Sequence, residues 1–255
     1  MMNVFKVIQN RLKKEAKIFL HRGDKYICPF CDYASKDLAP MGADMPILIE
    51  KQIIGGGRRL AECYKCGSSD RERLIYTLLK DEFNIFDSPD QSILHVAPER
   101  NLSNKLLRFG FKNYVCGDLF TEGYSYPKHV QNLNVLDIPY PENTFDLIIC
   151  NHVLEHIPTD VEAMKELRRA LKIGGKAILQ VPISKNTTVT HEDFSINNPQ
   201  QRLIMFGQFD HCRIYGRDYE DRLKQAGFKV SRINISKKYP KYGLNVDEDI
   251  FVGEK

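Results

Sequence analysis

Apolar residues at Met1, Phe5, Ile8, Leu12, Ala16 and Phe19 recur at three- and four-residue steps, which predicts a helix with one apolar stripe over residues 1–26. From Ser92 the pattern changes. Short apolar runs at 92–97, 114–116 and 144–150, and again at 176–181, alternate with stretches of helical period, so parallel strands covered by helices on both faces are expected. The helix over 102–109 should stop at Gly110, and a short third strand should end at 136–138. Thr159 with Glu162 predicts a capping box that opens a helix with Val161, Met164, Leu167 and Leu171 inward and Gly174-Gly175 as its stop. A last helix over 217–226, stopped by Gly227, precedes strands at 228–235 and 249–252. Upstream, the β-prone stretch 47–54, the turn Gly55-Gly56-Gly57 and residues 58–62 predict a hairpin. The triple glycine is not a phosphate cradle, because no Lys-Ser or Lys-Thr and no helix follows it directly. Ser69 with Glu72 predicts a second capping box on a linking helix, where Arg71 and Arg73 either meet substrate or form a solvated face.

Cysteine spacing adds chemistry to the first part. Cys28-Pro-Phe-Cys31 and Cys63-Tyr-Lys-Cys66 each place two thiolates where they can reach one tetrahedral ion, so a small zinc ribbon with a structural Zn2+ held by Cys28, Cys31, Cys63 and Cys66 is expected. A four-thiolate site leaves no open position, and its role is structural or recognitional rather than catalytic. Cys116 and Cys150 fall in expected strands as small buried hydrophobes.

At 255 residues and 42% hydrophobic, the chain can bury one full α/β core and a satellite. No apolar run approaches the roughly 18 residues needed to cross a bilayer, and no secretion signal opens the chain, which suggests a cytoplasmic protein. Residues 1–26 carry seven Lys or Arg against Glu15 and Asp24, so the +4 net charge sits there and the rest is near neutral. That distribution disfavours nucleic acid as a partner. The basic helix either docks on its own protein or lies, through residues 1–20, on an anionic membrane surface at the inner face of the membrane.

The first strand ends in His95-Val96-Ala97-Pro98-Glu99-Arg100-Asn101, and the second reaches Asp118, an acid placed about 20 residues on to accept hydrogen bonds from ribose hydroxyls. The segment PYPENTFDLIICNHVLEHIPTDVEAMKELRRALKIGGKAILQVP, residues 139–182, resembles the middle of the class I, type 11 S-adenosylmethionine-dependent methyltransferases. The resemblance implies an α/β, Rossmann-like class I methyltransferase sheet with an antiparallel C-terminal edge, added to the zinc ribbon. The domains would be a basic amphipathic helix (1–26), the ribbon (27–68), a linking helix (69–91) and a methyltransferase domain (92–255). S-adenosyl-L-methionine is the implied cofactor. Its implied contacts are Asp118 with Leu119 at the ribose, Leu136, Asp137 and Ile138 around adenine, and Asn151, His152 and Leu154 as a wall. His95, Val96, Ala97, Pro98 and Glu99 stand where that family has an acid followed by Gly-x-Gly-x-Gly. Here Ala97 would substitute in part for glycine, and Glu99 could reach the methionine amino group. His152, Glu155 and His156 alternatively cap and orient the helix that follows.

Residues 183–215 form a polar insertion near the carboxyl ends of the strands, where the chemistry is expected. His211 is the candidate base, oriented by Asp210, with His191 in reserve and Arg202, Arg213 and Tyr215 holding the acceptor; an ordinary polar lid is the plain alternative. The expected reaction is O-methylation of a sugar or other small hydroxyl acceptor, by analogy with a zinc-ribbon subgroup met in cell-surface polysaccharide biosynthesis. An RNA base methyltransferase with a recognition ribbon and a catalytically inactive zinc-dependent binding module are the competing readings.

Overall fold

The computed structural model describes residues 2–122 and 125–255, with side chains from residue 6. The place expected for Met1, and the side chain expected at Phe5, lie outside the described residues. Helix α1 (Met2–Leu20) runs into strand β1 (Arg22–Ile27), which pairs antiparallel with β2 (Ala34–Ser35). Its stripe faces outward, with Ile8, Leu12 and Phe19 exposed, and Ile18 in the last turn packs against Cys28, Tyr33 and Cys63. Among the described residues no helix is long and apolar enough to cross a membrane.

The hairpin expected across the triple glycine does not form. Pro46 opens a short helix α2 (Pro46–Glu50), and two following pairings go elsewhere. Strand β3 (Ala39–Met41) pairs with β5 (Arg59–Glu62), while β4 (Ile53–Ile54) pairs with residues 183–184, far along the chain. Gly55 and Gly57, both at positive φ, turn the chain between these partners.

Helix α3 (Asp70–Thr77) carries the expected capping box of Ser69 and Glu72. Glu72 also accepts from the backbone of Asn101, 2.9 Å away, and so ties α3 to the start of a later helix. Arg73, 1% exposed, answers neither expectation for it, since it is neither at a substrate surface nor solvated. Its guanidinium donates to the carbonyls of Ala61 and Ser68 and to those of Tyr242 and Gly243, at 2.7 to 3.0 Å.

Strand β6 (Ser92–Val96), helix α4 (Arg100–Phe109), β7 (Asn113–Asp118), β8 (Val130–Asn132) and β9 (Phe145–Asn151) begin the main sheet. Helix α5 (Asp160–Ala170) leads to β10 (Leu171–Gln180), then β11 (Ile183–Ser184), the partner of β4. The insertion holds β12 (His191–Glu192), α6 (Pro199–Phe206) and β13 (Arg213–Ile214), and α7 (Tyr219–Gln225), β14 (Lys229–Ile233) and β15 (Ile250–Glu254) complete the chain. The seven-stranded sheet has the order β14-β15-β10-β9-β6-β7-β8. Pairs from β10 to β8 are parallel, and β15 is antiparallel to both its neighbours, the expected C-terminal edge. This is a Rossmann-like α/β fold. One face buries Met164, Leu167 and Leu223 of α5 and α7; the other buries Leu74, Leu102 and Leu106 of α3 and α4. Each such side chain contributes about 1.5–3 kcal/mol.

Local differences have local causes. Gly110 ends α4 at φ +85 as expected, but α5 ends at Ala170, and Gly174-Gly175 form an irregularity within β10. Thr159 makes no side-chain cap; its carbonyl accepts from Glu162 and Ala163 instead. The third strand lies earlier than 136–138, because Asn134 bonds the Leu136 amide and folds 134–137 into a turn.

Candidate functional site

Strand order reverses between β6 and β9, and the carboxyl ends of those strands open a crevice, the place where doubly wound sheets bind ligands. Ala97 leaves β6 at φ +46, in the left-handed region that glycine favours, and His152 leaves β9 at φ +56. His95 is fully buried; its Nε2 lies 2.8 Å from Glu99 Oε2 and its Nδ1 2.8 Å from the Tyr114 hydroxyl. Asn151 Nδ2 donates to Glu99 Oε1 at 3.0 Å. Burial alone would raise the Glu99 carboxyl, but the bond and charge of His95 bring it below its ordinary value. Both Glu99 oxygens are therefore engaged within the loop, and Asn151 Oδ1 beside them is buried without a partner.

Asp118 stands at the end of β7, its carboxyl raised by burial against the pull of the Leu119 amide and His156. Leu119 and Leu136 are large apolar side chains left exposed, Asp137 is exposed and Ile138 is buried. An acid, two exposed leucines and an orphaned amide oxygen combine hydrogen-bond acceptors with apolar surface, a set suited to a nucleoside with an amino-acid tail.

Next to this crevice is a cavity of about 270 Å3. Its walls come from the chain before α3 (Leu48, Gly55, Arg59), from the first turn of α3 (Arg71), from the turn after β9 (His152, Glu155, His156) and from the insertion (Phe206, His211). Gly207, at φ +82 after α6, lets Leu48 approach so closely that a Cβ there would overlap its side chain. Arg59 is bidentate to Asp70, at 2.6 and 2.7 Å. Arg71 donates to the Gly55 carbonyl, and no carboxylate pairs with it among the described residues. Burial would raise Glu155, yet His152, His156 and His211 around it hold it down at about 2. Burial pushes His211 down to about 4 against the attraction of Glu155, and burial with Arg71 lowers His152.

Of the residues expected to do the chemistry, His211 lines the cavity. Asp210 does not orient it; its carboxylate lies 3.4 Å from His156 Nδ1. His191 is outside the lining, in the short β12–β13 pair near the Phe206 ring. Arg213, fully buried, donates to the carbonyls of Leu154, Ile157 and Pro158 and pairs with Glu192, so it braces the turn that carries Glu155 rather than holding an acceptor. Tyr215 is likewise buried, bonded to Asp160 at 2.7 Å, and Arg202 bonds the Ile196 carbonyl. Arg71, one of the two arginines read as meeting substrate or solvent, does line the cavity; Glu155, His156 and Arg59 were not expected in the site, and the His-x-x-Glu-His run that was the available signal for the first two reads equally well as a helix start.

The four cysteines of the two Cys-x-x-Cys pairs converge, with all four sulfurs within 4.8 Å of one another. Cys28 and Cys66 are 3.6 Å apart, Cys31 and Cys63 3.8 Å. A tetrahedron with metal–sulfur bonds of about 2.3 Å has an edge of about 3.8 Å, so the sulfurs are spaced for one ion.

A family model described as a methyltransferase domain matches residues 101–179. An uncharacterized protein of Methanocaldococcus jannaschii is 42% identical over 62 residues, which are 24% of this chain and 27% of that protein. A demethylmenaquinone methyltransferase of Bacillus licheniformis is 33% identical over 58 residues, 23% of this chain and 25% of that enzyme. The chain thus spans about a quarter of the length of these curated relatives. A solved SAM-dependent methyltransferase from Archaeoglobus fulgidus aligns with 72% of this chain and 94% of its own, at 11% identity and a TM-score of 0.48. Over residues 101–179 this chain is thus similar to a methyltransferase domain.

Proposed function

We propose that the protein is an S-adenosylmethionine-dependent methyltransferase that methylates a hydroxyl of a small polar acceptor, with a sugar as the leading candidate. The observation that carries this reading is the cavity beside the switch-point crevice, lined by imidazoles and by an arginine without a carboxylate partner. Such a lining suits a compact, oxygen-rich acceptor that bears negative charge, such as a sugar phosphate or a nucleotide-linked sugar. When bound, S-adenosylmethionine supplies an electrophilic methyl group, so the protein has mainly to align the acceptor oxygen with it.

Each residue's task follows from its position. Asp118 would accept from the ribose hydroxyls, Leu119 and Leu136 would flank the adenine, and Asn151 Oδ1, held in place by the bond from its Nδ2 to Glu99, would receive the ammonium group. Arg71 would hold the acceptor's charge. Removal of the hydroxyl proton falls to the cluster of Glu155, His156 and His211 in the cavity wall. The four cysteines would hold a structural zinc that keeps the strands around them folded.

The test is calorimetric titration with S-adenosylhomocysteine of the wild type and Asp118→Ala. Binding in the micromolar range, about −8 kcal/mol, that is lost in the variant supports the reading. Absence of binding to the wild type overturns it.

A further inference from the structure

We propose that Glu155, His156 and His211 form a second metal site, distinct from the cysteine cluster, which binds a divalent first-row transition cation at the wall of the cavity. One ligand atom from each residue lies within 4.8 Å of the other two. Two imidazoles and one carboxylate are a donor set suited to such cations, and three protein ligands leave coordination positions open.

Two further observations point to a ligand. Glu155 is 2% exposed, and its Oε2 has no hydrogen-bond partner, although a buried carboxylate oxygen is costly to leave unpaired. Asp210 Oδ1, beside His156, is buried and unpartnered too. The three side chains are also held in place by their surroundings. The Cys212 amide donates to the Glu155 carbonyl at 3.0 Å, which ties the segment bearing His211 to the turn bearing Glu155. Arg213 bonds three carbonyls of that turn, and the rings of His156 and His211 meet edge-on at 4.6 Å.

All three residues line the cavity, so the open positions face the space an acceptor would occupy. Binding of the cation does not depend on the proposed activity; only its consequence rests on that reading. The consequence is that an acceptor hydroxyl bound to the cation gives its proton to solvent water more readily, so that in the loaded protein Glu155, His156 and His211 hold the ion and do not take the proton themselves.

The test uses full-length protein whose cysteine cluster is loaded with zinc, titrated with Co2+ and followed by calorimetry and visible absorption. The expected result is one Co2+ per chain with nitrogen and oxygen ligation and no thiolate charge-transfer band. Glu155→Gln and His211→Asn should each weaken it by on the order of 100-fold or more. The half-buried His156→Asn provides a variant with less risk to folding, and Asp118→Ala should bind Co2+ as the wild type does. No Co2+ beyond the cysteine cluster, or equal binding by folded variants, would overturn the proposal. Titration with S-adenosylhomocysteine on the same samples reports separately on the cofactor site, so the two readings can fail independently.

Discussion

Replacing Arg73 by methionine removes the guanidinium that joins four carbonyls from two distant stretches of chain. The Tyr242 and Gly243 carbonyls lie in a half-buried loop that water can reach once the head group is gone. Ala61 and Ser68 are 2% and 0% exposed, so their carbonyls stay dry. An unsatisfied buried acceptor costs about 1–3 kcal/mol; Ser68 keeps the Cys63 amide at 3.0 Å, so Ala61 alone is orphaned, and with charge-assisted bonding lost at the other three carbonyls the expected loss is about 3 kcal/mol. That is a large fraction of the roughly 5–15 kcal/mol that stabilises a typical domain. Arg73→Lys keeps the charge but has one compact head for four widely spread acceptors, so a loss of about half that size is expected. The chain has no tryptophan, so urea unfolding is best followed by circular dichroism, with limited proteolysis around residues 59–69 as a second readout. If Arg73→Met unfolds within about 1 kcal/mol of the wild type, the buried guanidinium does not tie these segments together as described.

Other perturbations give equally definite outcomes. Burial, with Asp70 adding to it, raises the Glu248 carboxyl to about 7 from 4.5; its stabilising contribution is therefore complete below pH 4.5 and lost as pH rises through 7. Glu248→Gln should gain on the wild type over that window, reaching about 3 kcal/mol above pH 7, and parallel urea-stability curves at pH 5 and pH 8 would contradict this. Ala97→Gly should stay within about 1 kcal/mol of the wild type in thermal unfolding and keep its affinity for S-adenosylhomocysteine, whereas Ala97→Val, a branched residue at φ +46, should lose at least about 2 kcal/mol and bind weakly. Stripping metal with a thiol-compatible chelator should abolish hydrogen-exchange protection in β3 and β5 while leaving the amides of β6 and β9 protected; unchanged protection in β3 and β5 would argue against a structural ion.

The sheet was legible because its strands are unbroken apolar runs separated by helical periods, a pattern set by burial on both faces. The cap at Ser69 was legible because its partner Glu72 is three residues away. Legibility failed where the deciding partner is remote. The run Ile47-Leu48-Ile49 fits strand or helix alike, and the choice was made by Pro46 locally and by the pairing of Ile53 and Ile54 with Ser184 and Ile183. Arg73 could not be read as buried, since its four acceptors come from two separate stretches of sequence. In the site, the positions of Asp118 and His152 follow from the strand ends. That Asp210 turns to His156, and that Arg213 points inward at carbonyls, depends on the path of the insertion, which no periodicity encodes.

The cavity is assembled from parts far apart in the sequence. Within the 101–179 match only His152, Glu155 and His156 reach it; the other lining residues belong to stretches 41–71 and 182–214, brought together by two short strands and the contact of Leu48 with Gly207. The lining of the cavity can therefore change by substitution in these flanks while the parallel strands of the sheet stay as they are. Similarity over 101–179 then says little about what the cavity holds. An attempt to move one enzyme's preference into another would have to transplant both flanks together, since either alone would meet a mismatched wall.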